Sequence, residues 1–195
     1  ACSSNVQAVM WGLAELGVAV TRVDVGGRFG GLDTADFRAM NPNGLIPVLR
    51  DRDGLVVFES AAILRHFSES DPVVDQWGEW GKHTFGAAFT VPVFWAHWRT
   101  PEAERNAAAV AAAVSRFEAL MGIVAPLIAQ KGYVCGDRLS LADIWIGHVL
   151  FRYFTLGIAR APHSVFEDYY ARLCARPAYR DHVMLDYTHL KGETT

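Results

Sequence analysis

Val6, Val9, Met10, Leu13 and Leu16 fall at three- and four-residue intervals, the repeat of one apolar face of an amphipathic helix. Ser3, Ser4 and Asn5 precede that face as candidate N-caps, and Gly17 follows it as a stop. Val18–Val25 then alternates β-branched and polar positions, which predicts a strand. A glycine-rich loop, Gly26–Gly31, leads into a short helix from Asp33 to Met40, capped by Asp33 or Thr34. Asn41-Pro-Asn-Gly44 is dense in turn formers. Beyond it Leu45–Arg50 reads as a short strand bent at Pro47, since a proline in a strand belongs at an edge or a bend. Asp51-Arg-Asp-Gly54 turns the chain into Leu55–Phe58, which makes a hairpin, and a helix runs from Ser60 to Glu69 with Ala62, Ile63 and Phe67 inward.

After Ser70-Asp-Pro72 the two-residue period disappears. Helical windows follow at Gln76–Arg99, Glu102–Gln130, Ser140–Tyr153, His163–Arg176 and Ala178–Asp186, punctuated by Pro101, Gly132, Gly136, Pro162 and Pro177. The pattern predicts an α/β unit over residues 1–70, a linker over 71–78 and an all-helical unit over 79–195.

Composition narrows the classes. A chain of 195 residues holds one large domain or two small ones, and 51% hydrophobic content supports a full core and excludes disorder over most of its length. The formal charge of −3, with basic residues scattered, argues against a nucleic-acid surface. Three widely spaced cysteines, Cys2, Cys135 and Cys174, make neither a disulfide framework nor a zinc set, which favours a reducing compartment. With no paired His/Cys spacing, no metal site is expected. The longest uncharged apolar run, Phe85–Trp98, is short for a bilayer and is broken by Pro92 and His97. No signal-peptide pattern occurs, so a cytoplasmic protein without membrane contact is expected.

Four segments carry a family resemblance in the right order: Asn41-Pro-Asn-Gly-Leu-Ile-Pro-Val-Leu49, Phe58-Glu-Ser-Ala-Ala-Ile-Leu64, Val134-Cys-Gly-Asp-Arg-Leu-Ser-Leu-Ala-Asp143 and Arg176-Pro-Ala-Tyr179. Over nearly the whole chain the sequence resembles the cytosolic glutathione S-transferases, among them the bacterial members that use serine or asparagine. The resemblance implies a thioredoxin-like first domain, an all-α second domain, a homodimer and a role in detoxification. Family members begin with a strand ahead of the first helix, and Ala1 stands where that strand would just have ended. Several upstream residues are therefore expected, and an intact mass matching 21.5 kDa would count against them.

The same resemblance assigns the site. Pro47 would be a cis-proline that presents the backbone of Ile46 to a peptide ligand as an added strand. Glu59 and Ser60, opening a helix, would receive the γ-glutamyl end of glutathione, the carboxylate at Ser60 and the ammonium near Glu59. Ser3 falls on the position of the catalytic Ser, Thr or Cys, Asn5 matches an asparagine some classes use, and Ser4 and Cys2 are the neighbours that could take the role. Such a hydroxyl would stabilise the glutathione thiolate. Leu45 stands where many members carry Lys, Arg or Gln for the ligand's glycine carboxylate; Arg28 or Phe29 of the glycine-rich loop are the candidates to compensate.

Phe94, His97, Trp98 and Arg99 lie where the family builds its pocket for a small hydrophobic electrophile. Ser140-Leu-Ala-Asp143 reads as a capping box that stabilises the second domain. Three functions remain open at this point: conjugation of glutathione to an electrophile, glutathione-dependent disulfide or peroxide reduction through Cys2, and a non-catalytic binding or assembly module.

Overall fold

Helix α1, Ser4–Glu15, buries Gln7, Ala8, Val9, Trp11, Gly12 and Leu13. Val9 and Leu13 are buried as expected, but the face is rotated from the expected one, for Val6 and Met10 are half-buried and Leu16 is exposed. The cause is the partner. Helix α3, Ser60–His66, packs on α1 through the buried Ile63 and Leu64, and a Cβ at Gly12 would lie 2.6 Å from Leu64 Cδ2. Small residues at Ala8 and Gly12 let the two helices approach closely, and a count of large apolar residues does not reveal such a face.

These elements belong to a computed structural model that describes residues 3–69 and 71–193. The chain divides into two compact units, Ala1–Ser70 and Asp71–Thr195. In the first, helix α2, Ala35–Met40, is capped by Thr34, whose hydroxyl accepts from the Phe37 N–H. Strands β1, Val48–Arg50, and β2, Val56–Phe58, pair antiparallel with Val48 opposite Phe58. The strand expected at Val18–Val25 does not form: the segment pairs with no strand among the described residues, and Val20 and Val23 are exposed. Its β-branched alternation gives a preference for extended backbone, but a strand needs a ladder partner.

In the second unit the segment expected as a linker is helical. Asp71 accepts from the Val73 and Val74 N–H groups and Pro72 occupies the first turn, so α4, Pro72–Trp80, starts directly after the first unit. The winding continues through π-helical turns at Gly81–Gly86, the short α5, Ala87–Phe89, and further π-helical turns at Thr90–Arg99. Pro92 has no N–H to donate within that last stretch. Helix α6, Ala107–Lys131, begins five residues later than expected because Asn106 caps it by accepting from the Ala109 N–H at 3.0 Å. The helix expected over Ser140–Tyr153 is two: α7, Leu141–Gly147, and α8, Leu150–Thr155. Helices α9, Ser164–Cys174, and α10, Pro177–His182, complete the unit.

Its core is aromatic. Phe117 of α6 lies 4.5 Å from Phe85, 5.1 Å from Phe89 and 5.2 Å from Tyr153, ring centre to ring centre. By length and composition α6, rather than Phe85–Trp98, is the described helix apolar enough to cross a membrane. Its stripe of Val110, Val114, Phe117, Met121, Val124 and Ile128 is spent on this core instead, and Glu118 accepts from the Tyr153 hydroxyl and the Ala161 N–H.

Asp143 ties the unit together. Its buried carboxylate accepts from Ser140 N–H and Oγ at 2.8 Å, Val134 N–H at 3.0 Å and Tyr169 Oη at 2.8 Å. Burial pushes this carboxyl above its ordinary range against the pull of those donors.

Candidate active site

The polar residues of the first unit gather at the starts of two helices. Ser3 is the N-cap of α1, with extended backbone at φ −69° and ψ 124°. Its carbonyl accepts from the Gln7 N–H at 3.0 Å, while its hydroxyl makes no capping hydrogen bond. Ser4 is half-buried in the first turn and Asn5 is exposed beside it. Ser60, only 2% exposed, opens α3 and donates its hydroxyl to Asn5 Oδ1 at 3.4 Å. The two helix starts are thus brought together, as they would need to be for Ser3, Asn5 and Ser60 to share one ligand. Cys2 lies outside the described residues.

Glu59, the residue before α3, has φ 69° and ψ 118°. It is the non-glycine residue with positive φ among those described, a conformation that costs of order 1–3 kcal/mol and persists only where the surroundings enforce it. Strain of that kind, with an exposed carboxylate beside a buried hydroxyl, fits a ligand clamp better than a plain helix start.

The loop ahead of β1 is shaped by Asn41, which the sequence reading passed over as a turn former. Its side chain is buried: Nδ2 donates to the Leu45 carbonyl at 2.8 Å, and Oδ1 accepts from the Asn43 N–H at 3.1 Å. Gly44, at φ 64°, closes the turn by donating to the Asn41 carbonyl. The chain then enters the cis Ile46–Pro47 bond. Among the described residues no backbone–backbone hydrogen bond engages Ile46. Leu45 projects outward, 61% exposed, and offers no charge to a carboxylate. Arg28 rests on its neighbour Phe29, guanidinium carbon 4.8 Å from the ring centre, both exposed.

The four residues expected at the electrophile pocket separate into two kinds. Phe94 is 1% exposed, packed against Phe89 and Tyr187 under the Arg152 guanidinium; it belongs to the core of the helical unit. His97, Trp98 and Arg99 are half-buried at the end of the π-helical stretch. Burial, then the charges of Arg105 and Lys191, hold the His97 imidazole below its ordinary range. The two described cysteines are poor nucleophiles, for burial raises the Cys135 thiol to about 11 and also raises Cys174.

Comparison with known proteins bears on this geometry. The N-terminal domain of glutathione S-transferase matches residues 2–70, and the C-terminal domain matches residues 83–177. The chain belongs to the glutathione S-transferase family. It is 32% identical over 94% of its length to glutathione S-transferase GstB of Escherichia coli, of which it covers 94%. It is 31% identical over 91% to glutathione S-transferase 4 of Zea mays, of which it covers 86%. The theta class glutathione S-transferase of Xanthomonas axonopodis pv. citri, solved with glutathione bound, superposes with a TM-score of 0.85 at 39% identity, covering 94% of both chains.

The first unit is therefore the thioredoxin-like domain and the second the helical domain of a transferase whose co-substrate is glutathione. Likeness to named transferases favours the enzymatic readings over the scaffold reading.

Proposed function

We propose that this transferase binds glutathione along Ile46–Pro47 and at Glu59–Ser60, ionises its thiol beside Ser3, and adds the thiolate to a small hydrophobic electrophile. The γ-glutamyl carboxylate would accept from the Ser60 hydroxyl, and its ammonium would meet Glu59. The Ile46 N–H and C=O would pair with the peptide portion of the ligand. Ser3, whose hydroxyl is not committed to capping, would donate to the sulfur. The thiol proton leaves to solvent, and the thiolate forms a carbon–sulfur bond as the leaving group departs with the pair of the broken bond. Stabilising the anion before attack lowers the barrier, because the thiolate is the nucleophile.

The observation that carries this reading is the hydrogen bond between Ser60 and Asn5. It marks how near the start of α3, where the ligand's carboxylate would sit, lies to the start of α1, where Ser3 would meet the sulfur. Leu45 leaves the glycine carboxylate without a cation at that position, so the reading expects modest glutathione affinity. His97, Trp98 and Arg99 of the helical unit would select the electrophile. The reading extends to a cytoplasmic two-fold homodimer that clears reactive compounds; light scattering of the purified chain would check the dimer.

Titration calorimetry with glutathione, in two buffers of different ionisation enthalpy, tests the core of the proposal. Binding with proton release supports an ionised thiol. Binding without it would reduce the protein to a glutathione-docking module, and no binding would overturn the site.

A further inference from the structure

The chain beyond α10 folds back on the end of the π-helical stretch. The Gly192 N–H donates to the Trp98 carbonyl at 2.9 Å, the Trp98 indole N–H donates to the Tyr187 carbonyl at 3.1 Å, and Arg99 Nε donates to the Glu193 carbonyl at 3.0 Å. This return sets Lys191 Nζ 5.4 Å from the centre of the Trp98 ring. The Arg99 guanidinium lies 4.5 Å over Trp95. Past the bend at Pro101, Arg105 is anchored by Nε to the Thr100 carbonyl at 3.0 Å.

Among the described residues neither Arg105 nor Lys191 has a carboxylate within ion-pair distance, although Glu102 and Glu104 lie just ahead of Arg105 in the sequence. Burial, then the charges of Arg105 and Lys191, lower the pKa of the half-buried His97. An imidazole, two indoles and two cations thus share one end of the helical unit. An acceptor pocket for purely apolar compounds has no use for that charge.

We infer that the acceptor is a planar aromatic electrophile carrying a carboxylate or similar anionic substituent, with the ring against the Trp95–Trp98 edge and the anion drawn to Arg105 and Lys191. This rests on the reading that His97, Trp98 and Arg99 select the electrophile. Arg105 is half-buried and Lys191 exposed; a half-buried cation attracts an anion more strongly than a fully solvated one, and the anion itself needs a partner once it leaves water.

The test compares two activated aryl chlorides, 4-chloro-3,5-dinitrobenzoate and its methyl ester, with each kcat/KM divided by the uncatalysed rate with glutathione. The carboxylate should be favoured by about five-fold or more at low salt, and the preference should shrink at 0.5 M sodium chloride. Arg105→Gln and Lys191→Gln should each lower the carboxylate's value by about two- to five-fold while leaving the ester's unchanged, which also shows that the variants fold. Equal treatment of the two acceptors, or a preference that survives both substitutions, would overturn the inference alone. Failure to conjugate either acceptor while glutathione still binds would overturn the transferase reading of the site, and the inference with it.

Discussion

The Ser60 hydroxyl reaches the Asn5 carboxamide oxygen at 3.4 Å, 55 positions away along the chain. That is long for a hydroxyl donor, whose bonds usually fall below 3.0 Å. The contact is weak enough to be exchanged for a carboxylate, which makes a shorter and stronger bond. Ser60→Ala is therefore expected to weaken glutathione binding by about ten-fold or more, the worth of one hydrogen bond to a charged group. Asn5→Ala should cost less, since it removes the resting partner and not the ligand contact. Calorimetric dissociation constants for the two variants check the order, and a larger loss for Asn5→Ala would contradict it.

Ser3 should act on the sulfur and not on affinity. Its hydroxyl carries no capping duty, so Ser3→Ala leaves α1 intact and removes one donor to the thiolate. The pKa of bound glutathione should rise, moving the pH–rate profile of kcat to higher pH, with kcat at neutral pH lowered by roughly 10²-fold. The dissociation constant should change little. A variant with normal kcat and an unshifted profile would transfer the role to a neighbouring residue.

Glu59 has a backbone that glycine would adopt at lower cost. Glu59→Gly should raise stability by about 1 kcal/mol through relief of strain, yet weaken glutathione binding by removing the carboxylate offered to its ammonium. Glu59→Ala should do the second without the first. Urea unfolding and calorimetry on the same samples separate the effects. Equal loss of stability in both variants would show that the side chain, and not the backbone, is what the fold requires.

Asp143 satisfies donors from a loop, a cap and α9 at once. Asp143→Ala leaves the Val134 and Ser140 N–H groups and the Tyr169 hydroxyl unpaired in the interior, and should destabilise the protein by about 3 kcal/mol. Tyr169→Phe removes one donor and should cost about 1 kcal/mol. Urea midpoints measure both, and comparable values for the two would mean the carboxylate does not organise the cluster.

Local chemistry in the sequence marked the hairpin turn, the Ile46–Pro47 bend, the Thr34 cap and the Ser140–Asp143 box. Each depends on residues within a few positions of one another. The buried face of α1 was legible only at Val9 and Leu13, because Gly12 is selected by closeness to Leu64, and the apolar period records size alone. Val18–Val25 failed for the converse reason: its preference was local, while a strand depends on a neighbour. The start of α4 was written in Asp71-Pro72, a cap and first-turn pair that a linker assignment overlooked. At the candidate site, Ser3, Glu59 and Ser60 came from the family likeness. The work of Asn41 did not, since a buried turn asparagine and an exposed one look alike in sequence. Phe94 was misplaced for a similar reason, one turn of helix separating core from surface.

His148 is the fully buried imidazole at the break between α7 and α8, with Nδ1 donating to the Trp145 carbonyl at 2.9 Å. Burial, aided by the charges of Arg152 and Lys82, lowers its pKa from 6.5 to about 4. The folded state therefore resists a proton that the unfolded chain accepts. The resulting stability is fully present above pH 6.5 and is lost as pH falls toward 4. At about 1.4 kcal/mol per unit, the loss from this one residue should reach about 2 kcal/mol by pH 5. His148→Gln cannot take up that proton, so its stability should fall less between pH 7.5 and pH 5 than that of the parent protein. Urea unfolding of both at the two pH values reads the difference in slope and is indifferent to any fixed cost of the substitution. Parallel declines would mean that the imidazole titrates alike in both states and that acid acts elsewhere.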